Sequence, residues 1–170
     1  MYSFKPSEEQ QMLIDALKRY AMDDLRAAAR DAEEEGHLPV DLVEKGWELG
    51  YLQASIPEDY DGFGERSAVT GALAVEELAY GDVAGALAVM TPGLFATPIL
   101  LAGSEAQKKA YIPPVIEMEW KPFTAALMEQ KFDFGPKDLA ATAAIDGDIV
   151  VINGEKSYVP YADGAEAMLV

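Results

Sequence analysis

The residues of this chain that could do acid–base or ligand chemistry are few, and their spacing argues against most of it. Glu76 and Glu77 form an adjacent carboxylate pair. Consecutive positions on a helix do not face each other, so the pair reads as a solvated face rather than an acid/base couple. His37, the only histidine, follows the acidic run Glu33-Glu34-Glu35 in a loop between Gly36 and Pro39, where it reads as a surface residue. The absence of cysteine excludes a thiolate nucleophile, a disulfide framework and a Cys-ligated metal. No group of His, Asp and Glu has metal-ligand spacing. Asp146-Gly147-Asp148 opens like a calcium loop but lacks the later ligands, and is read as a hairpin turn. Gly62-Phe63-Gly64 has no strand before it and no phosphate-facing helix after it, so it is no phosphate cradle.

The elements that must position any site are legible from periodicity. Ser7 and Gln10 have the form of a capping box. From there Leu13, Leu17, Tyr20, Ala21, Leu25 and Ala28 recur at three- and four-residue steps, predicting one long helix that Gly36 ends. A short helix over residues 39–49 buries Leu42, Val43 and Trp47, and Gly50 closes it. Residues 56–64 form a turn-rich loop. A third helix is predicted over 67–80, a fourth from its cap Asp82 to Met90, a fifth over 94–102 and a sixth over 104–111. Ser104 and Gln107 repeat the capping pattern, and Pro113-Pro114 stop the last helix. The period then changes. Residues 123–129 and 138–145 read as extended, Asp146-Gly147-Asp148 turns into the β-branched run Ile149-Val150-Val151-Ile152, and Asn153-Gly154 turns into a returning strand over 155–159. The fold class is therefore α+β: an all-α domain over residues 1–120, then an incomplete antiparallel β-domain over 121–170.

Composition bounds the rest. The 170 residues are 50% hydrophobic and 9% aromatic, enough to bury a core. Thirty acidic against thirteen basic residues give a formal net charge of -17. That balance excludes a nucleic-acid partner, which needs Lys and Arg against phosphate. The first six residues have no signal-peptide character. The apolar stretches 83–90 and 94–102 are interrupted by Pro92 and Pro98, and each is too short to span a bilayer. A cytoplasmic protein is expected. The last residues, Ala167-Met168-Leu169-Val170, are strand-like. An apolar edge left there is expected of a truncated protein.

Four local signatures, in order along the chain, carry a resemblance. They are Gly50-Tyr51-Leu52 leading to Ile56-Pro57-Glu58-Asp59-Tyr60-Asp61-Gly62-Phe63-Gly64; Val75-Glu76-Glu77-Leu78-Ala79; Leu101-Ala102-Gly103-Ser104-Glu105-Ala106-Gln107-Lys108-Lys109-Ala110-Tyr111-Ile112-Pro113; and Ile152-Asn153-Gly154-Glu155-Lys156. Together they resemble the acyl-CoA dehydrogenase family. The resemblance implies a helical domain, a middle β-barrel and a C-terminal helical domain, with FAD as cofactor. It implies oxidation of the Cα–Cβ bond of an acyl-CoA thioester. There a glutamate of the C-terminal domain takes the α-proton and the flavin N5 accepts the β-hydride. No residue of this chain aligns with that base, so the catalytic residues are unknown. An electron-transfer flavoprotein or similar acceptor, and a homo- or hetero-oligomeric assembly, are implied in the same way.

Carried over residue by residue, the resemblance places the flavin against Leu127, Met128, Glu129, Phe134, Tyr158 and Pro160. In the family's first β-strand a Thr and nearby backbone N–H groups hold the pyrimidine edge, and a Ser holds the pyrophosphate. Here these positions are Met128 and Phe134, and of the matching motif only Glu129 is kept. After the "GxK" turn the family has Trp-Ile-Thr or Trp-Ile-Ser, with a hydroxyl toward N5. Here the triplet is Tyr158-Val159-Pro160, which keeps an aromatic face but has no hydroxyl or N–H at Pro160. Ala86, Leu87 and Met90 align with a helix lining the acyl pocket; core packing explains them equally well. Two functions are implied: an FAD-dependent acyl-CoA dehydrogenase, or a non-catalytic structural subunit of a hetero-oligomeric one.

Overall fold

A computed structural model of the chain describes residues 5–64 and 67–170. The reading of the extreme N-terminus rests in part on residues 1–4, outside the described residues.

Helix α1 (Glu8–Tyr20) begins as its sequence dictates. Ser7 Oγ accepts from Gln10 N–H, and the Gln10 side chain accepts from Ser7 N–H. The long helix that periodicity predicts is interrupted. Ala21–Leu25 is a π-helical turn that passes into α2 (Arg26–Glu35), and Gly36 closes α2 with a φ of 76°. A single wide turn of this kind rotates α2 relative to α1 while Ala21 and Leu25 both stay buried. Helix α3 is Val40–Trp47, and α4 is Ala68–Gly81, capped by Ser67.

The fourth and fifth predicted helices are one. Asp82 caps α5, Val83–Ala102, by accepting from Gly85 N–H, and the helix runs through both Pro92 and Pro98. Proline inside a helix removes a backbone bond and costs about 3 kcal/mol. Tertiary burial outweighs it: Ala88, Val89, Thr91, Pro92, Phe95 and Ala96 are all buried in the core, and each large apolar side chain so buried contributes about 1.5–3 kcal/mol. The buried Thr91 hydroxyl donates to the Leu87 carbonyl at 2.6 Å, so its polar atom is satisfied within the helix. The merger also changes the membrane argument. At 20 residues and a mean hydropathy of 1.7, α5 is long and apolar enough to cross a bilayer, but half of its apolar window is buried inside the protein, as in a core helix.

Helix α6 (Glu105–Tyr111) starts on the capping box of Ser104 and Gln107. The core formed by Leu17, Tyr20, Val43, Trp47, Leu78, Phe95 and Ile112 extends to Trp120 and Phe123, so the first strand packs on the helices. Trp47 Nε1 donates to the Glu117 carbonyl at 2.9 Å, tying the connection beyond α6 to α3.

The strands are β1 (Phe123–Ala125), β2 (Thr142–Asp146), β3 (Ile149–Asn153) and β4 (Ala167–Leu169). β2 and β3 form the predicted antiparallel hairpin, Asp146 opposite Ile149, with Gly147 at φ 63° in the two-residue turn. The α+β class stands, with two corrections of detail. β1 pairs with β4 in parallel, Thr124 opposite Met168, where only hairpins are predicted. Residues 155–159 are not a strand. Gly154 lies so close to the β2 side that an added Cβ would meet Ala141 Cβ at 2.5 Å, and Tyr158 and Tyr161 have φ values of 53° and 51°, outside the β region.

Candidate functional site

Three segments far apart in sequence meet beyond the end of β1. The first is 127–129, which continues from β1 after Ala126 N–H bonds to the Leu169 carbonyl at 2.7 Å. The second is Ala140-Ala141, just before β2. The third is Lys156-Ser157-Tyr158, after β3.

Glu129 joins them. Its side chain is 6% exposed, and its carboxylate accepts from Ala140 N–H at 2.6 Å, Ala141 N–H at 2.9 Å and Lys156 Nζ at 2.8 Å. The Lys156 side chain is 13% exposed, and its Nζ also reaches the Leu127 carbonyl at 3.4 Å. A backbone bond from Ser157 N–H to the Met128 carbonyl, 2.8 Å, completes the junction. A carboxylate held by a cation and two amides keeps its charge. The Lys156 ammonium, then the Ala140 and Ala141 amides, lower the Glu129 carboxyl to a pKa of about 2.

Of the residues read from sequence, Leu127, Met128, Glu129 and Tyr158 thus lie on segments that the junction draws together. Leu127, Met128 and Tyr158 are exposed, Tyr158 at 81%. Among the described residues no group accepts from the N–H of Leu127 or Glu129. Pro160 is half-buried next to Tyr161, whose ring meets Trp120 edge-on with centroids 5.0 Å apart. Phe134 stands apart on a loop closed by the Lys131–Asp138 ion pair and by Asp138 N–H bonding to the Gly135 carbonyl at 2.9 Å. Ala86 is buried in the helical core, Met90 packs against that core and Leu87 is 56% exposed. Sequence reasoning does not single out Lys156 and Ser157 as site residues. Lys156 lies in a quoted motif, but the motif does not reveal its partner, which is 27 positions away.

The remaining features offer less chemistry. A shallow groove of about 530 Å³ lies between the π turn, α2 and α3, lined by Asp23, Asp24, Asp41 and Lys45 among others, with Lys45 bonded to Asp24 at 2.7 Å. It includes none of the three joined segments. His37 is exposed, as read. Among the described residues no group of three His, Asp or Glu side chains could hold a metal ion.

Comparison with known proteins fits this frame. The 3-(aryl)acrylate reductase of Clostridium sporogenes is 28% identical over 163 residues, which cover 95% of this chain and 43% of that protein. The structure of butyryl-CoA dehydrogenase from Megasphaera elsdenii superposes with a TM-score of 0.81 at 26% identity, covering 96% of this chain and 44% of the other. PigA, solved as an FAD complex, shares the fold with a TM-score of 0.79 at 22% identity, over 98% of this chain and 44% of its own. The chain thus spans less than half the length of these proteins. The family model for the acyl-CoA dehydrogenase N-terminal domain matches residues 7–119, and the chain belongs to the acyl-CoA dehydrogenase family.

Proposed function

We propose that these residues are the N-terminal part of an FAD-dependent acyl-CoA dehydrogenase that interconverts an acyl-CoA thioester and its α,β-enoyl form. The observation that carries the reading is the junction of segments 127–129 and 156–158, with an aromatic face at Tyr158 beside them. The N–H groups of Leu127 and Glu129, without acceptors among the described residues, suit the polar edge of a flavin, since backbone donors need no particular side chain. Leu127, Met128 and Tyr158 offer exposed apolar surface for a planar ring. The bound flavin supplies the hydride acceptor. The residues of this chain contribute its position and the exclusion of water from one side.

The helical domain over 1–120 and the β-portion over 121–170 take the family's first two places in this proposal. The catalytic base, the acyl-CoA, the electron-transfer flavoprotein or similar acceptor, and the oligomeric partners belong to the whole protein. So does a cytoplasmic setting. Ala86, Leu87 and Met90 are assigned to the wall of the acyl pocket; the exposure of Leu87 suits it to that role better than the buried Ala86.

A second reading, a non-catalytic structural subunit of a hetero-oligomer, is favoured by one observation: Met128, Phe134 and Pro160 stand where the family has hydroxyls. Three lost hydrogen bonds of about 0.5–1.5 kcal/mol each weaken a cofactor by roughly ten- to a thousand-fold. Anaerobic titration of the native protein with acyl-CoA thioesters of graded chain length separates the two. Bleaching of a bound flavin by one of them supports the dehydrogenase. Colourless protein that co-purifies with a flavin-bearing homologue supports the structural subunit.

A further inference from the structure

We infer that the Glu129 carboxylate and Lys156 are positioning groups for the flavin edge, a clamp that sets the distance between segments 127–129 and 156–158, and that the Glu129 carboxylate is not itself a flavin ligand. The inference rests on the dehydrogenase reading above and refines the sequence-based assignment of Glu129 to cofactor contact.

An ionised carboxylate offers about four acceptor sites. Three are taken here, by Ala140 N–H, Ala141 N–H and Lys156 Nζ, in a side chain only 6% exposed. The Glu129 carboxylate therefore has little left to offer a ligand, and its geometry is that of a knot. Two of the three Lys156 donors are likewise directed inward, to Glu129 and the Leu127 carbonyl. The knot orients the groups beside it. With the Leu127 and Met128 carbonyls turned toward Lys156 and Ser157, the N–H groups of Leu127 and Glu129 are left free of protein partners among the described residues. Tyr158, with its left-handed φ of 53°, comes directly after the clamped Lys156-Ser157 pair.

The sequence supports the same division of labour. Where the hydroxyl positions read Met128, Phe134 and Pro160, the two residues of the clamp are both present. A site that has given up side-chain donors depends all the more on the placement of its backbone donors, because a ring meets them productively only if they are held in advance. Burial makes the clamp an all-or-none device: removing one charge leaves the other buried and unpaired.

The test uses the native protein and three variants, Glu129→Gln, Lys156→Met and Lys156→Arg. Hydrogen exchange of the Ala140, Ala141 and Ser157 amides reads the clamp itself. In the parent these amides should be protected together, and in Glu129→Gln and Lys156→Met all three should exchange about tenfold faster or more, with the helices unchanged. FAD titration of the apoprotein, with visible circular dichroism of the bound ring, reads the positioning. Affinity should fall about tenfold in Glu129→Gln and Lys156→Met with an altered dichroic band, and Lys156→Arg should recover most of both. Should either charge-removing variant fail to fold, the other still reports. Parent amides that exchange independently of one another overturn the clamp. Variants that lose stability but keep FAD affinity and dichroism overturn the positioning role alone. A parent with coupled amides and no flavin affinity overturns the positioning role together with the flavin reading.

Discussion

At the scale of single residues, the site is a mixture of what local sequence can disclose and what it cannot. The missing hydroxyls at Met128, Phe134 and Pro160 are legible, since they need only an alignment of short motifs. The fate of Glu129 is not, because its partners lie 11, 12 and 27 residues away and two of them are backbone amides. That carboxyl has a pH signature. Its folded value of about 2 lies below the unfolded 4.5, so its ionisation stabilises the folded state. The contribution is fully present above pH 4.5 and is lost as pH falls through about 2. In acid unfolding followed on the β-portion, the parent should lose stability between these values more steeply than Glu129→Gln. Parallel slopes would mean that the carboxylate is not held as described. The neighbouring positions allow a constructive test. Met128→Thr with Pro160→Thr restores two hydroxyls, and should tighten FAD about tenfold, or ~1.4 kcal/mol, by fluorescence titration. Unchanged affinity would show that the path of the chain around them has left the family's geometry.

At the scale of elements, caps are readable and long-range pairing is not. Ser7, Asp82 and Ser104 each cap a helix through an amide three positions on, a relation contained in a few residues. The unity of α5 is different in kind. Pro92 and Pro98 argue locally for two helices, and only the burial of both flanks of Pro92 decides otherwise. The parallel pairing of β1 with β4 joins residues more than forty positions apart, and the departure of 155–159 from a strand depends on the close approach of Gly154 to Ala141. The π turn is likewise set by packing. Gly81, the last residue of α4, lies against it so closely that an added Cβ would sit 2.4 Å from the Ala21 carbonyl oxygen. Backbone cannot yield as a side-chain tip does, so Gly81→Ala should cost about 1–3 kcal/mol in denaturant unfolding. A loss below ~0.5 kcal/mol would mean that α4 and the π turn are free to separate at that point.

At the scale of the whole molecule, the helical core takes in Phe123 of β1 and has Ala167 and Leu169 of β4 packed against it, whereas the β2–β3 hairpin stands outside it. Ile145, Ile149, Val150 and Ile152 are each more than half exposed. In the proposed enzyme, further strands of the β-barrel cover that hairpin, and the flavin rests where 127–129 and 156–158 meet. Fold and family are readable because helical periodicity and four ordered motifs span the chain; the state of the proposed cofactor site is not, because it depends on backbone geometry rather than residue type. The most direct measurement is the flavin content of the native protein. It combines a visible absorption spectrum with identification of the chromophore released on denaturation. The account predicts an oxidised-flavin spectrum, release of FAD at about one per chain, and a marked fall in that occupancy in Tyr158→Ala. Protein that is colourless as isolated and stays colourless after incubation with excess FAD would contradict it.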